Sequence, residues 1–458
     1  MKYIGPFLRI NTLKAEDIYS QINFLAKESL NHIVLNSKCG ICIPFKELKL
    51  KNKDQSNFDQ FQSKFPLLCI YKKANPKLIT SNDKLTWNED KFKKEVNILG
   101  NSLMTLSLLE LIEYYKQFKD KNKNLYSYSK LYSKLCKKQL EFFATYLRNE
   151  EGIFVDKADT SDSIIGKINF KEKNKKFNYG NQALLMAAYY GTSLLDDDEY
   201  SSNYETFSLD ILNMFLEFKN ELYTLSLDEI SRTCLGLNIF YKYSKNEESK
   251  MLLLDLSEFL LEKYKELNNL YKGDNIEISC LTYLNFMFLY KNIGILKFKQ
   301  QANSIYENLL NLYNNDLNIF LKESDDKEIK FTCAELMLYL LILLINYKNA
   351  DEKNKTTLIE YYKNQLIDCG IILSWPEAPS LSSPERYKNY SLKSEDLLEE
   401  QCFRMASVPS PDSIEIAPVF GKYVTFNKKK QKYTKCRVSF DSNKNMLILF
   451  LILYLKNL

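Results

Sequence analysis

Glu151-Gly152-Ile153-Phe154, Leu317-Asn318-Ile319-Phe320 and Cys369-Gly370-Ile371-Ile372 repeat one phrase, a small or polar residue followed by an apolar or aromatic pair. Related copies stand at Cys39-Gly40-Ile41-Cys42-Ile43, Asn220-Glu221-Leu222-Tyr223 and Asn269-Leu270-Tyr271. Each copy follows a stretch with helical periodicity, so the phrase reads as one helix-to-helix turn used six times. Helical hairpins recurring at about 50 residues indicate a repeat architecture rather than several unrelated domains.

Proline placement supports the same organisation. None of the ten prolines falls between Lys77 and Trp375, while six crowd into Pro376 to Pro418. A long proline-free run with few glycines suits uninterrupted helices. The more apolar helix of each pair is expected at about Val96–Gln117, Tyr179–Leu194, Asp228–Tyr243, Glu277–Tyr290, Phe331–Tyr347 and Ser442–Leu455, forming an inner set. More charged segments at Ser127–Arg148, Asn203–Lys219, Glu248–Leu267, Lys297–Tyr313 and Lys355–Asp368 carry one apolar stripe each and form an outer set.

A sixth outer helix is lacking after Leu455, but Ala15–Val34 has the right amphipathic character and precedes its own copy of the turn phrase. The two ends therefore complete one hairpin, which closes the repeat into a ring without an exposed terminal face. This arrangement resembles the (α/α)6 toroid of the six-hairpin glycosidase superfamily and its epimerase and lyase relatives. The resemblance spans nearly the whole chain as architecture and matches no catalytic motif. It implies an all-α fold, one toroid domain over residues 1–458, with a small β-hairpin insertion near the C-terminus.

Connections from outer to inner helices include three long insertions, 36–95, 152–178 and 370–441, all expected on the face bearing the inner-helix N-termini. Loops of this length in a compact domain commonly build lids or walls of sites. Inner-helix N-termini present free amide hydrogens and positive dipole ends there, so a cleft is expected on that face, against the alternative of a plain cap. In the last insertion, Val419–Phe426 and Tyr433–Phe440 read as a hairpin over the mouth.

Composition removes several function classes. The net charge of +5 is a mild surplus spread along the chain, without the concentrated basic face that nucleic acid requires. Leu336–Ile345 and Met446–Leu455 are too short to span a bilayer, and Met1–Pro6 leads into polar residues without a sustained apolar run, so the expectation is a cytoplasmic protein that inserts in no membrane. The pair Cys39/Cys42 has no second pair of like spacing, and the ten cysteines read as reduced thiols. No Walker A loop or Gly-x-Gly-x-x-Gly run occurs, and Asp196–Glu199 reads as a polar turn, so neither a cofactor nor a metal is expected. His32 is the only histidine and lies on an outer segment, which disfavours histidine-dependent mechanisms.

What remains is carboxylate chemistry. Sugar chemistry needs an acid and a base flanking one carbon, and carboxylates fill both roles when burial separates their pKa values. Candidate catalytic residues near the expected mouth are Asp156, Asp228, Glu335 and Glu399. Each has an ordinary alternative as a helix cap, although Glu335 interrupts an otherwise apolar helix. Arg232 and Arg404 are candidates for orienting an acidic sugar, and Trp375 and Tyr179 for stacking on a sugar ring. The expectation is a carbohydrate-active enzyme, glycoside hydrolase-like, taking a small-molecule or oligosaccharide ligand. A non-catalytic toroid that binds carbohydrate or protein is the competing expectation.

Overall fold

The computed structural model describes residues 2–3, 13, 15–48, 50, 55–81, 84–161, 168–173, 177–195, 201–267, 275–347, 351–377, 409–410 and 415–456. Its helices in chain order are α1 (Ala15–Asn36), α2 (Ile98–Lys116), α3 (Lys123–Tyr146), α4 (Tyr179–Ser193), α5 (Ser201–Glu217), α6 (Lys219–Leu222), α7 (Leu227–Ser244), α8 (Glu247–Lys265), α9 (Asn275–Ile293), α10 (Leu296–Leu310), α11 (Cys333–Asn346), α12 (Glu352–Tyr361) and α13 (Ser442–Lys456). A π-helical segment, Tyr362–Ile367, prolongs α12.

The inner helices touch in the cyclic order α2, α4, α7, α9, α11, α13 and back to α2. Outer helices pack against them as α3 on α2, α5 on α4, α8 on α7, α10 on α9 and α12 on α11. The sixth pair joins the chain ends, with α1 against α13, so the fold is a closed (α/α)6 toroid. Burial follows from this layering. Every residue of α11 from Cys333 to Leu343 is buried, whereas α8 buries Leu252, Leu253, Leu256, Leu260, Leu261 and Tyr264 at three- and four-residue spacing and leaves its other face to solvent. Gly236 of α7 permits a close approach to α4, since a Cβ there would lie 2.6 Å from Ala183.

Three of the six copies of the turn phrase share a conformation, whereas Gly40–Cys42 forms a strand after Lys38 at φ 53°, residues 220–222 belong to α6, and residues 269–271 lie outside the described residues. Gly152, Asn318 and Gly370 all adopt a left-handed φ, 82°, 54° and 73° respectively. That reversal sends the apolar pair back toward the ring, where it forms short β-bridges such as Phe154 with Arg148 and Ile372 with Phe420. Glycine and asparagine tolerate this conformation, which is why the first residue of the phrase is small or polar.

The outer-to-inner connections carry more β-structure than two strands. They form β1 (Gly40–Cys42), β2 (Leu67–Ala74), β3 (Lys93–Val96), β4 (Lys157–Asp159), β5 (Phe170–Glu172), β6 (Glu328–Thr332), β7 (Tyr423–Asn427), β8 (Lys432–Cys436) and β9 (Phe440–Asp441). An antiparallel sheet runs β9-β2-β3-β4-β5 with β1 also on β2, pairing Phe440 with Ala74, Tyr71 with Val96 and Glu95 with Ala158. A second sheet runs β6-β7-β8. The expected hairpin is thus present with shifted bounds, and Phe331 and Thr332 belong to β6 rather than to the following helix because they pair with Val424 and Tyr423. Residues 419–422 are held instead by isolated contacts, Gly421 N–H to Ile371 O at 2.8 Å among them.

Three buried carboxamides tie these connections to the ring. Each is the fourth residue of an inner helix, and each grips both backbone groups of one residue. Asn101 of α2 accepts from Ile70 N–H at 2.8 Å and donates to its carbonyl at 3.1 Å. Gln182 of α4 does the same to Phe154 at 3.4 and 2.8 Å, and Asn445 of α13 to Phe420 at 2.9 and 3.2 Å. The corresponding residues of α7, α9 and α11 are Ile230, Ile278 and Leu336. The clamps occur in the helices that follow the long insertions.

Gln182→Leu preserves volume approximately but leaves the Phe154 N–H and carbonyl unpaired in the core, each costing about 1–3 kcal/mol. The expected outcome is a lower urea midpoint with an unchanged m-value, together with faster amide exchange around 152–158; unchanged exchange there would show that the clamp does not hold the connection.

Candidate functional site

On the inner-helix N-terminal face, side chains from the first turns of four helices meet. Lys444 Nζ of α13 lies 3.3 Å from Glu277 Oε2 of α9. In ring order α11 stands between these helices, so the ion pair crosses the mouth. Arg232 of α7 and Glu335 of α11 also act on Glu277 electrostatically. The Glu277 carboxyl is only 14% exposed. Burial raises its pKa above the ordinary carboxylate value, and Glu335 adds to the rise, although Lys444 and Arg232 pull it down. Lys444 shows the converse: burial works to lower its pKa, but Glu277, Cys333 and Glu335 together outweigh this and the net shift is upward.

Arg232 is in turn fastened to Asp228, one helical turn earlier, with its terminal nitrogen 3.0 Å and its Nε 3.2 Å from the same Asp228 oxygen. Asp228 is 47% exposed, the most open member of this chain of charges. The packing of α4 on α7 sets the position of Arg232, since a Cβ on Gly180 would come 2.7 Å from the Arg232 Cβ. Asp228–Arg232 and Glu277–Lys444 are therefore two ion pairs, coupled electrostatically through Arg232 and Glu277.

Glu335 is committed locally. Its Oε2 accepts from the Thr332 N–H at 2.7 Å while the Thr332 hydroxyl accepts from the Glu335 N–H at 3.2 Å, a capping box at the start of α11. Its Oε1 pairs with Lys322 at 2.7 Å, and the carboxyl is 0% exposed.

Asp156 sits in a separate cluster on the sheet. It accepts from the Ile98 N–H at 2.9 Å and from Asn97 Nδ2 at 2.8 Å, so it caps α2 from another segment. Burial raises its pKa, against the Ile98 N–H and the nearby Lys72 and Lys173. Neighbouring Glu95 goes the other way: burial works to raise it, but hydrogen bonds from Lys173 and Lys93 bring it down to about 2.

Tyr179 is buried, with its hydroxyl donating to Glu221 at 2.6 Å and its N–H to Glu229 at 2.9 Å. Trp375 is half-buried against the core, and its indole N–H is buried with no hydrogen-bond partner among the described residues. Glu399 and Arg404 lie outside the described residues. The structure brings Asp228 and Arg232 together and keeps Asp156 apart from them. Glu277 stands among the carboxylates at the inner-helix starts in the sequence, but its pairing with Lys444 is not legible there because 167 positions separate them; the available signal is a charge in the first turn of each of two apolar helices.

Burial disfavours the charged forms of the buried thiols and of the histidine. Burial pushes the thiols of Cys234 and Cys333 up to about 12. Burial, assisted by Lys64, lowers the His32 pKa to about 4, and its Nε2 accepts from Trp87 Nε1 at 2.8 Å. Among the described residues no group of three or more His, Cys, Asp or Glu side chains is placed to hold a metal ion. No helix among them is long and apolar enough to cross a membrane.

The same ring occurs in solved structures. Cellobiose 2-epimerase from Bacillus thermoamylovorans superposes with a TM-score of 0.50 and 10% identity, covering 95% of this chain and 99% of that one. A D-mannose isomerase gives 0.48 at 11% identity, over 76% and 88%. A glycoside hydrolase family 76 mannosidase from Bacteroides thetaiotaomicron gives 0.44 at 9%, over 95% and 97%. No family model matches the chain, and no curated protein matches it. At 10% identity, the epimerase match shows a shared toroid fold and nothing further.

Glu335→Ala removes a capping box and strands the Lys322 ammonium in a buried position, a loss of about 3–5 kcal/mol. Thermal unfolding of the variant should show a large drop in Tm, while Lys322→Met/Glu335→Leu recovers most of it; recovery failing in the double variant would mean that the ion pair is not the source.

Proposed function

We propose that the chain is a carbohydrate-active enzyme, hydrolase-like, working at the N-terminal mouth of the ring with Glu277 as general acid. The observation that carries this is the Glu277 carboxyl, shielded from water between two cations and yet raised in pKa, so that it holds a proton where ordinary carboxylates have lost theirs. Asp228 is the second carboxylate. It is paired with Arg232, and its exposure leaves it open to a ligand as nucleophile or general base. Arg232 and Lys444 offer donors to hydroxyl or carboxylate groups of a sugar. Trp375, with an unmet N–H, is suited to a ring face or a hydroxyl acceptor.

The sugar class rests on two supports. The toroid is shared with an enzyme whose name states that it acts on cellobiose. The single histidine is neutral and engaged by Trp87, which leaves proton transfer to the carboxylates and favours hydrolysis over histidine-based epimerisation. Carboxylates on opposite sides of a sugar carbon suffice for glycoside cleavage: one protonates the departing oxygen while the other attacks or activates water.

A general acid works only while protonated, so kcat/KM is expected to fall as pH rises through the raised Glu277 pKa, above the ordinary carboxylate range. Glu277→Gln should lose about 10²–10⁴-fold of kcat with the fold intact by circular dichroism, and Asp228→Asn a comparable factor. Assays on a panel of glycosides and uronides check this. Undiminished turnover in Glu277→Gln refutes the assignment, and a wild-type chain inert to the whole panel while still binding an oligosaccharide turns the reading to a non-catalytic carbohydrate-binding ring.

A further inference from the structure

At the opposite end of the ring, the last turns of α2 and α4 and the end of α7 enclose a cleft of about 710 Å³. Leu109, Gly191, Leu194 and Leu195 supply apolar wall, and Glu110, Lys242 and Tyr243 supply polar groups. Gly191 opens the space: a Cβ there would come 2.7 Å from Leu109 and 3.0 Å from the Tyr243 ring. Glu110 is buried, and its Oε1 accepts from the Tyr243 hydroxyl at 3.1 Å.

The ammonium of Lys242 lies 4.1 Å from the centre of the Tyr454 ring and forms no ion pair among the described residues. Burial lowers its pKa and Glu110 partly restores it. Behind it, Tyr454 is fully buried, its hydroxyl without a hydrogen-bond partner among the described residues. The Lys242 ammonium and the Glu110 carboxylate, set beside an apolar wall in a cleft of this size, are the marks of a ligand site.

Charge decides the class of ligand. An anion would sit beside Glu110 and at the negative ends of three inner helices. A cation would sit beside Lys242, while Glu113 and Lys116, which also line the cleft, pair with each other at 2.7 Å and add no net charge. A neutral polyhydroxyl compound meets both demands, with hydroxyl oxygens accepting from Lys242 and hydroxyl hydrogens donated toward carboxylate and helix carbonyls, while the leucines cover its carbon face. We propose that this cleft binds a neutral mono- or disaccharide, at a site separate from the mouth and independent of any chemistry there.

Isothermal titration of the full chain with cellobiose tests the site, with inorganic phosphate and 1,4-diaminobutane as charged probes. Lys242→Met should weaken one class of cellobiose sites by about tenfold or more. Leu194→Trp, placed at an exposed position on the rim, should block the same class with little effect on melting, and turnover at the mouth, where present, should be unchanged in both variants. The proposal is overturned if wild-type chain binds no cellobiose, if neither variant alters its isotherm, or if phosphate or the diamine titrates this site instead.

Discussion

The structure depends on the pairing of buried backbone with carboxamide side chains where the long connections enter the ring. Backbone that crosses the buried end of a helical toroid has lost water and has only partial sheet partners, so its N–H and carbonyl groups must be met some other way. A carboxamide holds one donor and one acceptor side by side, and can satisfy both groups of a single residue without introducing charge. Asn101, Gln182 and Asn445 do this for Ile70, Phe154 and Phe420. Gln365, beyond α12, does it for Phe320, donating to its carbonyl at 2.9 Å. Sheets and turns are thereby registered to α2, α4 and α13, the last of which carries Lys444 at the mouth.

The mouth is an electrostatic consequence of the same geometry. Inner helices aimed alike bring their N-terminal turns together, which favours carboxylates there, while the surrounding sheets remove water and penalise charge. The outcome differs residue by residue because the partners differ. Glu335 is held by its own cap and Lys322, Glu95 is overwhelmed by lysines, and Glu277 is held between Lys444 and Arg232 at an exposure low enough for burial to dominate. Carboxyl groups on this face are thus shifted in opposite senses by their different partners.

Much of this was legible in the chain. The turn phrase marks hairpins because its first residue must reverse the backbone, and Gly152, Asn318 and Gly370 do so. The capping box at Thr332 and Glu335 was visible as threonine followed three residues later by glutamate ahead of an apolar run. The sheet was less visible because its strands are short: Lys93–Val96 is too brief to display alternation, though the apolar start of Leu67–Ala74 was a usable signal. The clamps were hidden because an asparagine in sequence looks alike whether it faces solvent or grips a backbone. Their shared place, fourth in an apolar helix after a long insertion, becomes a pattern only once helix starts are known.

The sequence by itself determined the ring. Periodicity, turn residues and the absence of proline act over a few residues, and closure follows from matching the amphipathic N-terminal helix to the unpaired apolar C-terminal one. The tertiary structure alone decided which charges meet. Glu277 and Lys444 stand 167 positions apart, and their separation in space is set by six interhelical distances, one of them narrowed by Gly236 against Ala183. Local pattern specifies elements because its forces are local, whereas a pKa depends on everything within several ångströms of the group, whatever its place in the chain.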